Sequence, residues 1–171
     1  MSVVTVTKLI VKRLHEILNL PVVPTDNIGK KPGYPFVSYK ITTARGNPEG
    51  QPIIESELVA SANPLFEFDI KETAIEQPTF TISFIAYHAT EFDACGLAQM
   101  ALDTVNHSLY YELKDINAVV VSIEAVGDRS NLIVDHYEHR YGFDAIIRIA
   151  TQASRIVETM EEITINGGIN E

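Results

Sequence analysis

The chain has 171 residues, 46% of them apolar and 21% charged, and this composition is typical of one soluble globular domain. Its 13 Lys and Arg against 23 Asp and Glu give a net charge of −10. Because no apolar run reaches the roughly 18 residues of a membrane span and Cys95 stands alone, a membrane protein and a disulfide-stabilised miniprotein are excluded.

The charge is unevenly distributed along the chain. Residues 1–48 hold seven Lys and Arg and two acids, whereas residues 49–171 hold six Lys and Arg and 21 acids. A chain this acidic is a poor candidate for gripping nucleic acid, because phosphate binding uses clustered Lys and Arg. The basic first third and the acidic remainder suit head-to-tail contact between copies, and they suit a solvated surface equally well.

The N-terminal region is predicted to contain one helix and a connector. Apolar residues recur at three- and four-residue steps over 5–19, which predicts an amphipathic helix that Thr5 or Thr7 caps and Pro21 ends. Residues 20–35 contain four prolines and two glycines and are predicted to be an extended connector. Within it, Asn27–Gly33 resembles a phosphate loop only superficially, since it lacks the following Ser or Thr and opens no helix.

Two strands flank a long segment of unclear structure. Alternating apolar and polar residues predict strands at 36–43 and 79–88. Between them, residues 44–65 carry prolines and glycines and are predicted to be a long loop or arm, and 66–76 to be extended. Apolar side chains in this arm have no visible place in the core of a monomer, so we predict a subunit interface there. Its residues are Ile53, Ile54, Leu58 and Val59.

A second helix is predicted at 91–108, capped by Thr90. Its core-facing stripe is predicted to be Phe92, Cys95, Ala98, Leu102, Val105 and Leu109. Strands follow at 118–125, 132–141 and 143–149, with a bend permitted at Gly142, and a last strand ends before a short tail at 166–171.

This order predicts an α+β fold with a mixed, mostly antiparallel β-sheet and two α-helices packed on one face. The chain is predicted to be a single domain over 1–171. The crossover from 79–88 through the second helix to 118–126 is compatible with a parallel β-α-β unit.

No group of residues predicts chemistry. Asp135, His136, Glu138 and His139 form the best metal candidate, but alternation on a strand leaves two ligands on each face, fewer than a transition metal requires. The alternative is a polar strand that makes cross-strand charge pairs, with Glu138 and Arg140 among the paired residues. Nucleophile and dinucleotide motifs are absent from the sequence. We therefore predict no catalytic, cofactor-binding or metal-binding residues, and a protein that is not an enzyme.

Four short motifs follow the first helix in order: YPFVSYK at 34–40, QPTFTISF at 77–84, VGDRS at 126–130 and YEHRYGFD at 137–144. This succession resembles the phage neck or tail-terminator family of long-tailed bacteriophages. The resemblance covers about residues 5–165.

The resemblance implies a structural role in the virion. Six copies of such a protein form a ring in the neck that caps the tail tube and joins tail to head. The implied partners are further copies, the tail-tube protein and a head-completion or stopper protein, while DNA passes through the lumen without specific binding. The protein is expected in the virion neck, after synthesis in the host cytoplasm and without membrane contact.

Two alternatives stay open at this stage. The first is another ring protein of the neck or tail, namely a head-completion or stopper protein or a tail-tube subunit. The second is a small ligand-binding domain or enzyme with an unrecognised pocket.

Overall fold

The computed structural model describes residues 2–46, 50–134 and 136–158. In this part of the chain the elements are α1 (Val3–Leu18), β1 (Val22–Pro24), β2 (Phe36–Thr43), β3 (Ile53–Ala60), β4 (Phe68–Glu76), β5 (Thr79–His88), α2 (Glu91–Asp103), a π-helical turn (Thr104–Ser108), α3 (Tyr110–Asp115), β6 (Ala118–Ile123), β7 (Gly127–Asp128), β8 (Asn131–Ile133), β9 (His136–Ile149) and β10 (Thr151–Glu158). Contacts divide the chain into two compact units, which we call unit 1 (within 1–49 and 77–151) and unit 2 (within 50–76 and 152–171). The predicted single domain over 1–171 stays a prediction.

Unit 1 confirms the predicted α+β class. Its large sheet has the strand order β1-β2-β5-β9-β6, and the short strands β7 and β8 also pair with β9. The β1–β2 pair is parallel, and β2–β5, β5–β9 and β6–β9 are antiparallel. Since β5 and β6 each run antiparallel to β9, they are parallel to one another with β9 between them. The predicted β-α-β unit is therefore split, with β9 inserted between its two parallel strands.

The core of unit 1 lies between one face of this sheet and the helices. Phe84 pairs with Phe143 across β5 and β9, and their rings lie 5.3 Å apart. Phe84 and Ile147 are fully buried, as alternation along their strands predicts, whereas Leu102 is half-buried against the core. One sheet face therefore supplies most of the large buried side chains.

The helical stripe differs from the prediction at its first residue. Phe92 is 90% exposed, because α2 buries Ala94, Leu97, Ala98 and Ala101 and Phe92 lies on the opposite side of its first turn. Cys95 is half-buried. The π-helical turn adds a residue to one turn, with Leu109 N donating to Thr104 O at 3.1 Å, and so returns Leu109 to the core.

Helix α1 starts earlier than predicted. Ser2, and neither Thr5 nor Thr7, caps it, since its hydroxyl accepts from Thr5 N at 3.2 Å. The helix ends at Leu18, followed by Asn19 in the left-handed conformation with φ +52°. None of the helices in the described residues is long and apolar enough to cross a membrane.

The described part of unit 2 is a three-stranded sheet of order β10-β4-β3. Its strands β3 and β4 form an antiparallel hairpin from Ile53 opposite Ile75 to Ala60 opposite Phe68. The prediction of a loop throughout 44–65 is therefore wrong for β3. Two prolines of this segment, Pro52 and Pro64, lie on either side of β3. The strand lacks a regular alternation of apolar and polar residues because it is exposed on both faces. The predicted tail at 166–171 lies outside the described residues.

Candidate functional site

The four residues of the predicted subunit interface all lie on β3, but the strand separates them onto two faces. Ile54 and Leu58 point to one face, and Ile53 and Val59 to the other. The exposed fractions are 61% for Ile53 and Ile54 and 68% for Leu58, and Val59 is half-buried. The structure therefore places two pairs of apolar side chains where the sequence predicts one patch, and the interface itself stays a prediction.

We call the face that carries Ile54 and Leu58 the apolar face. Their opposite neighbours on β4 are Ala74 and Ile70, and Ala60 lies opposite Phe68. A shallow pocket of about 240 Å³ opens here, lined by Ile54, Ala74 and Ala153 together with Ser154 and the Glu72–Arg155 ion pair. The described part of unit 2 contains no helix, so its sheet has no second layer of its own to cover these side chains.

We call the opposite face, which carries Ile53 and Val59, the charged face. Glu55 and Glu57 lie between these two residues on the same side of β3. Glu57 accepts from Lys71 Nζ at 2.5 Å, whereas the exposed Glu55 carboxylate has no hydrogen-bond or ion-pair partner among the described residues. One carboxylate of the hairpin is thus available to a partner.

Polar contacts tie β10 to the hairpin. Arg155 Nε donates to Glu72 Oε2 at 2.7 Å, and the hydroxyls of Thr73 and Ser154 lie 2.9 Å apart. These contacts hold β10 against β4, the central strand, and no other described strand pairs with the outer edge of β3. An open strand edge offers backbone N–H and C=O groups to another chain.

A buried carboxylate forms a second candidate site in unit 1, on the sheet face opposite the helices. Glu138 on β9 is only 3% exposed. Tyr34 Oη donates to its Oε1 at 2.7 Å, Arg140 Nε donates to its Oε2 at 2.6 Å, and Lys31 Nζ contacts Oε1. The burial of this charge is offset by two cations and a hydroxyl, as a buried ion requires. The prediction that Glu138 and Arg140 pair across strands is wrong, because both residues lie on β9 and their ion pair runs along that one strand.

Aromatic rings surround these cations. Phe36 stacks on Tyr87 with centroids 4.3 Å apart and on Tyr34 at 5.9 Å. Lys31 Nζ lies 4.8 Å from the Tyr87 centroid, and the Arg140 guanidinium carbon lies 5.4 Å from it. Burial, followed by the charge of Arg140, lowers the pKa of Lys31. A pocket of about 340 Å³ opens beside the group.

This cluster anchors the connector over residues 20–35, which the sequence predicts only to be an extended, proline-containing segment. Lys31 lies in the segment that superficially resembles a phosphate loop, and it reaches a carboxylate more than 100 positions away. The sequence gives only a weak local signal for this cluster, namely a lysine that precedes the aromatic residues Tyr34 and Phe36. The arrangement of two cations, one carboxylate and stacked rings stabilises the connector and presents no nucleophile with an adjacent base.

Two residues of the metal candidate, Glu138 and His139, have described side chains, and these two do not converge. Asp135 lies outside the described residues, Glu138 is engaged by Lys31 and Arg140, and His139 lies on the other face of β9 opposite His88. No three His, Cys, Asp or Glu side chains in the described ranges could hold one ion. That the protein binds no metal stays a prediction.

Comparison with known families gives one match. A family model described as phage neck terminator protein matches residues 4–171, nearly the whole chain. No curated protein matches the chain. The match includes both units and every strand of the two sheets.

Proposed function

The chain belongs to the phage neck terminator family, and we propose that it caps the tail tube as a ring, most simply of six copies, and joins the tail to the head. As a member of that family it is a structural protein of the phage neck. In the proposed role its partners are further copies, the tail-tube protein and a head-completion or stopper protein. The role is assembly and uses no catalytic residue.

The observation that best supports ring formation is the exposed apolar surface of the β3–β4 hairpin in unit 2. Ile54 and Leu58 are more than half exposed on a sheet that lacks a second layer among its described residues. Burying apolar surface contributes about 25 cal/mol per Å², so contact with a neighbouring copy stabilises this face. In a closed ring each copy offers and receives the same contact, which repeats this stabilisation around the ring.

The charge distribution supports a channel for DNA. Residues 49–171 carry 21 acids against six Lys and Arg. An acidic lumen repels phosphates, so the duplex slides through instead of binding. In the proposed role the protein is made in the host cytoplasm before it becomes part of the neck.

Electron microscopy of particles tests this function and separates it from its alternatives. Phages that lack the protein are expected to make tails of irregular length that do not join heads. In wild-type particles, a reconstruction is expected to show one ring of this protein between head and tail tube. Copies along the whole tube would identify a tail-tube subunit, and density only inside the head portal would identify a stopper; either result contradicts the proposal.

A further inference from the structure

A second pocket in unit 1 is lined by cations and neutral hydrogen-bonding groups. It has a volume of about 280 Å³, and its polar lining comprises Lys114 at the end of α3, Arg148 on β9, Tyr110, Asn117 and Gln77. No Asp or Glu lines it. In a chain with a net charge of −10, this concentration of unbalanced positive charge is unexpected.

Lys114 and Arg148 differ from several other basic residues of unit 1, which form ion pairs. Unit 1 pairs Arg13 with Glu112, Lys40 with Asp26 and Arg129 with Asp144. By contrast, neither Lys114 nor Arg148 has a side-chain partner among the described residues. The exposed Lys8 and Lys30 are also unpaired there, but they do not line this pocket. The pocket is therefore suited to an anion.

Among the described acids on the strands of unit 2, one exposed carboxylate is a matching group. Glu57 and Glu72 are engaged by Lys71 and Arg155, whereas Glu55 has no partner among the described residues. Glu55 lies on the charged face of β3, opposite Thr73, with its side chain exposed. An exposed strand can present such a carboxylate to a concave surface of another molecule.

We propose that the Lys114–Arg148 pocket of one copy receives the Glu55 carboxylate of a second copy. The guanidinium of Arg148 matches a carboxylate with two parallel N–H groups, and Lys114 adds a point charge. The Tyr110 hydroxyl and the amides of Asn117 and Gln77 supply further donors. This inference rests on the proposed ring and names the contact that gives neighbouring copies a head-to-tail order.

A charge exchange tests the contact in assembling phages. Arg148→Glu places like charges together and is expected to weaken each subunit contact by about tenfold, so that tail completion falls sharply. The double variant Arg148→Glu with Glu55→Lys restores an opposite-charge pair and is expected to recover most of that loss. Lys30→Glu makes the same change at an unpaired lysine outside the pocket and is expected to leave tail completion unchanged.

A crosslinking measurement keeps the test decisive if Arg148→Glu is poorly folded. In full-length protein carrying Cys95→Ser, Glu55→Cys combined with Lys114→Cys is expected to give covalent dimers and higher species in particles treated with a short bismaleimide. Glu55→Cys combined with Lys30→Cys is the matched control and should give none.

The outcomes separate this contact from the proposed function. Absence of the crosslink in particles that contain the protein, or failure of Glu55→Lys to rescue folded Arg148→Glu, overturns the contact while the neck role stands. Absence of the protein from the neck overturns the role itself. Rescue by added salt without rescue by Glu55→Lys would show that the pocket meets another anion, and would also overturn the proposal.

Discussion

The two units of this protein bury their apolar residues to very different degrees. Unit 1 packs one sheet face under helices, and Phe80, Phe84 and Phe143 are almost completely buried there. Unit 2 exposes Ile53, Ile54 and Leu58 on a sheet of three strands. The difference predicts that unit 1 supplies most of the stability of the free chain, and it is the basis of our proposal that the apolar side chains of unit 2 contact other molecules.

The largest contrast is expected from truncating one apolar residue in each unit. Phe84→Ala removes a fully buried ring and is expected to lower the free energy of unfolding by about 3–5 kcal/mol. Leu58→Ala removes a side chain that is 68% exposed and is expected to change it by less than about 0.5 kcal/mol. Urea unfolding followed by circular dichroism measures both. Equal losses would contradict the contrast between the units.

The ion pairs provide a second contrast. Glu138→Ala leaves Lys31 and Arg140 without their buried carboxylate and is expected to cost about 3 kcal/mol. Glu57→Ala breaks the exposed pair with Lys71 and is expected to cost less than about 1 kcal/mol. Thermal unfolding of the two variants gives the comparison. A mild effect at Glu138 would mean that its cluster does not stabilise the connector.

Two glycine-to-alanine substitutions test how closely the central strands pack. A Cβ at Gly142 would lie 2.4 Å from Phe84 O, which is backbone and cannot move aside cheaply, so Gly142→Ala is expected to cost about 2 kcal/mol. Gly96 in α2 has nothing within 4 Å of the same position, and Gly96→Ala is expected to stabilise by about 0.5–1 kcal/mol. Opposite shifts of the melting temperature are the expected result.

The smallest effect concerns pH and the contact between α1 and α3. Hydrogen bonds from Arg13 lower the pKa of Glu112 and of Glu16. A lowered folded-state pKa means that this stabilisation is fully present above the ordinary glutamate pKa of about 4.3 and is lost as pH falls through the folded value. The melting temperature of the wild type should therefore approach that of Arg13→Met as the solution is acidified. Lys8→Met, at an unpaired lysine on the same helix, should show a constant offset.

Sequence patterns predicted the parts of the fold where one face is buried. The strand over 79–88 matches β5 at both ends, because Phe80, Ile82, Phe84 and Ala86 all face the core. The pattern failed for β3, where exposure on both faces removes the alternation on which strand prediction depends. The prediction that Phe92 faces the core was wrong, because an apolar residue in the first turn of a helix can match the spacing of the stripe without facing the sheet.

The candidate sites were less predictable than the fold. The contact of Tyr34 with Glu138 joins residues 104 positions apart, and no local pattern encodes such a pairing. The sequence did single out Ile53, Ile54, Leu58 and Val59 as unplaced apolar residues, but their separation onto two faces depends on the register of β3 with β4. The four motifs that carried the family resemblance all lie in unit 1, whereas the family model matches residues 4–171 and so covers both units.

The most direct test of the central claim compares the apolar face of the hairpin with an exposed apolar residue of unit 1. The double variant Ile54→Ser with Leu58→Ser removes apolar side chains from the apolar face, and Phe92→Ser removes a similarly exposed one from α2. Tail completion is measured by electron microscopy of phage lysates, with the melting temperature of each purified protein as the check on folding. We expect the hairpin variant to melt like the wild type and yet leave tails uncapped, while Phe92→Ser completes tails normally. Normal capped tails from a folded hairpin variant would contradict the claim that unit 2 is the assembly surface.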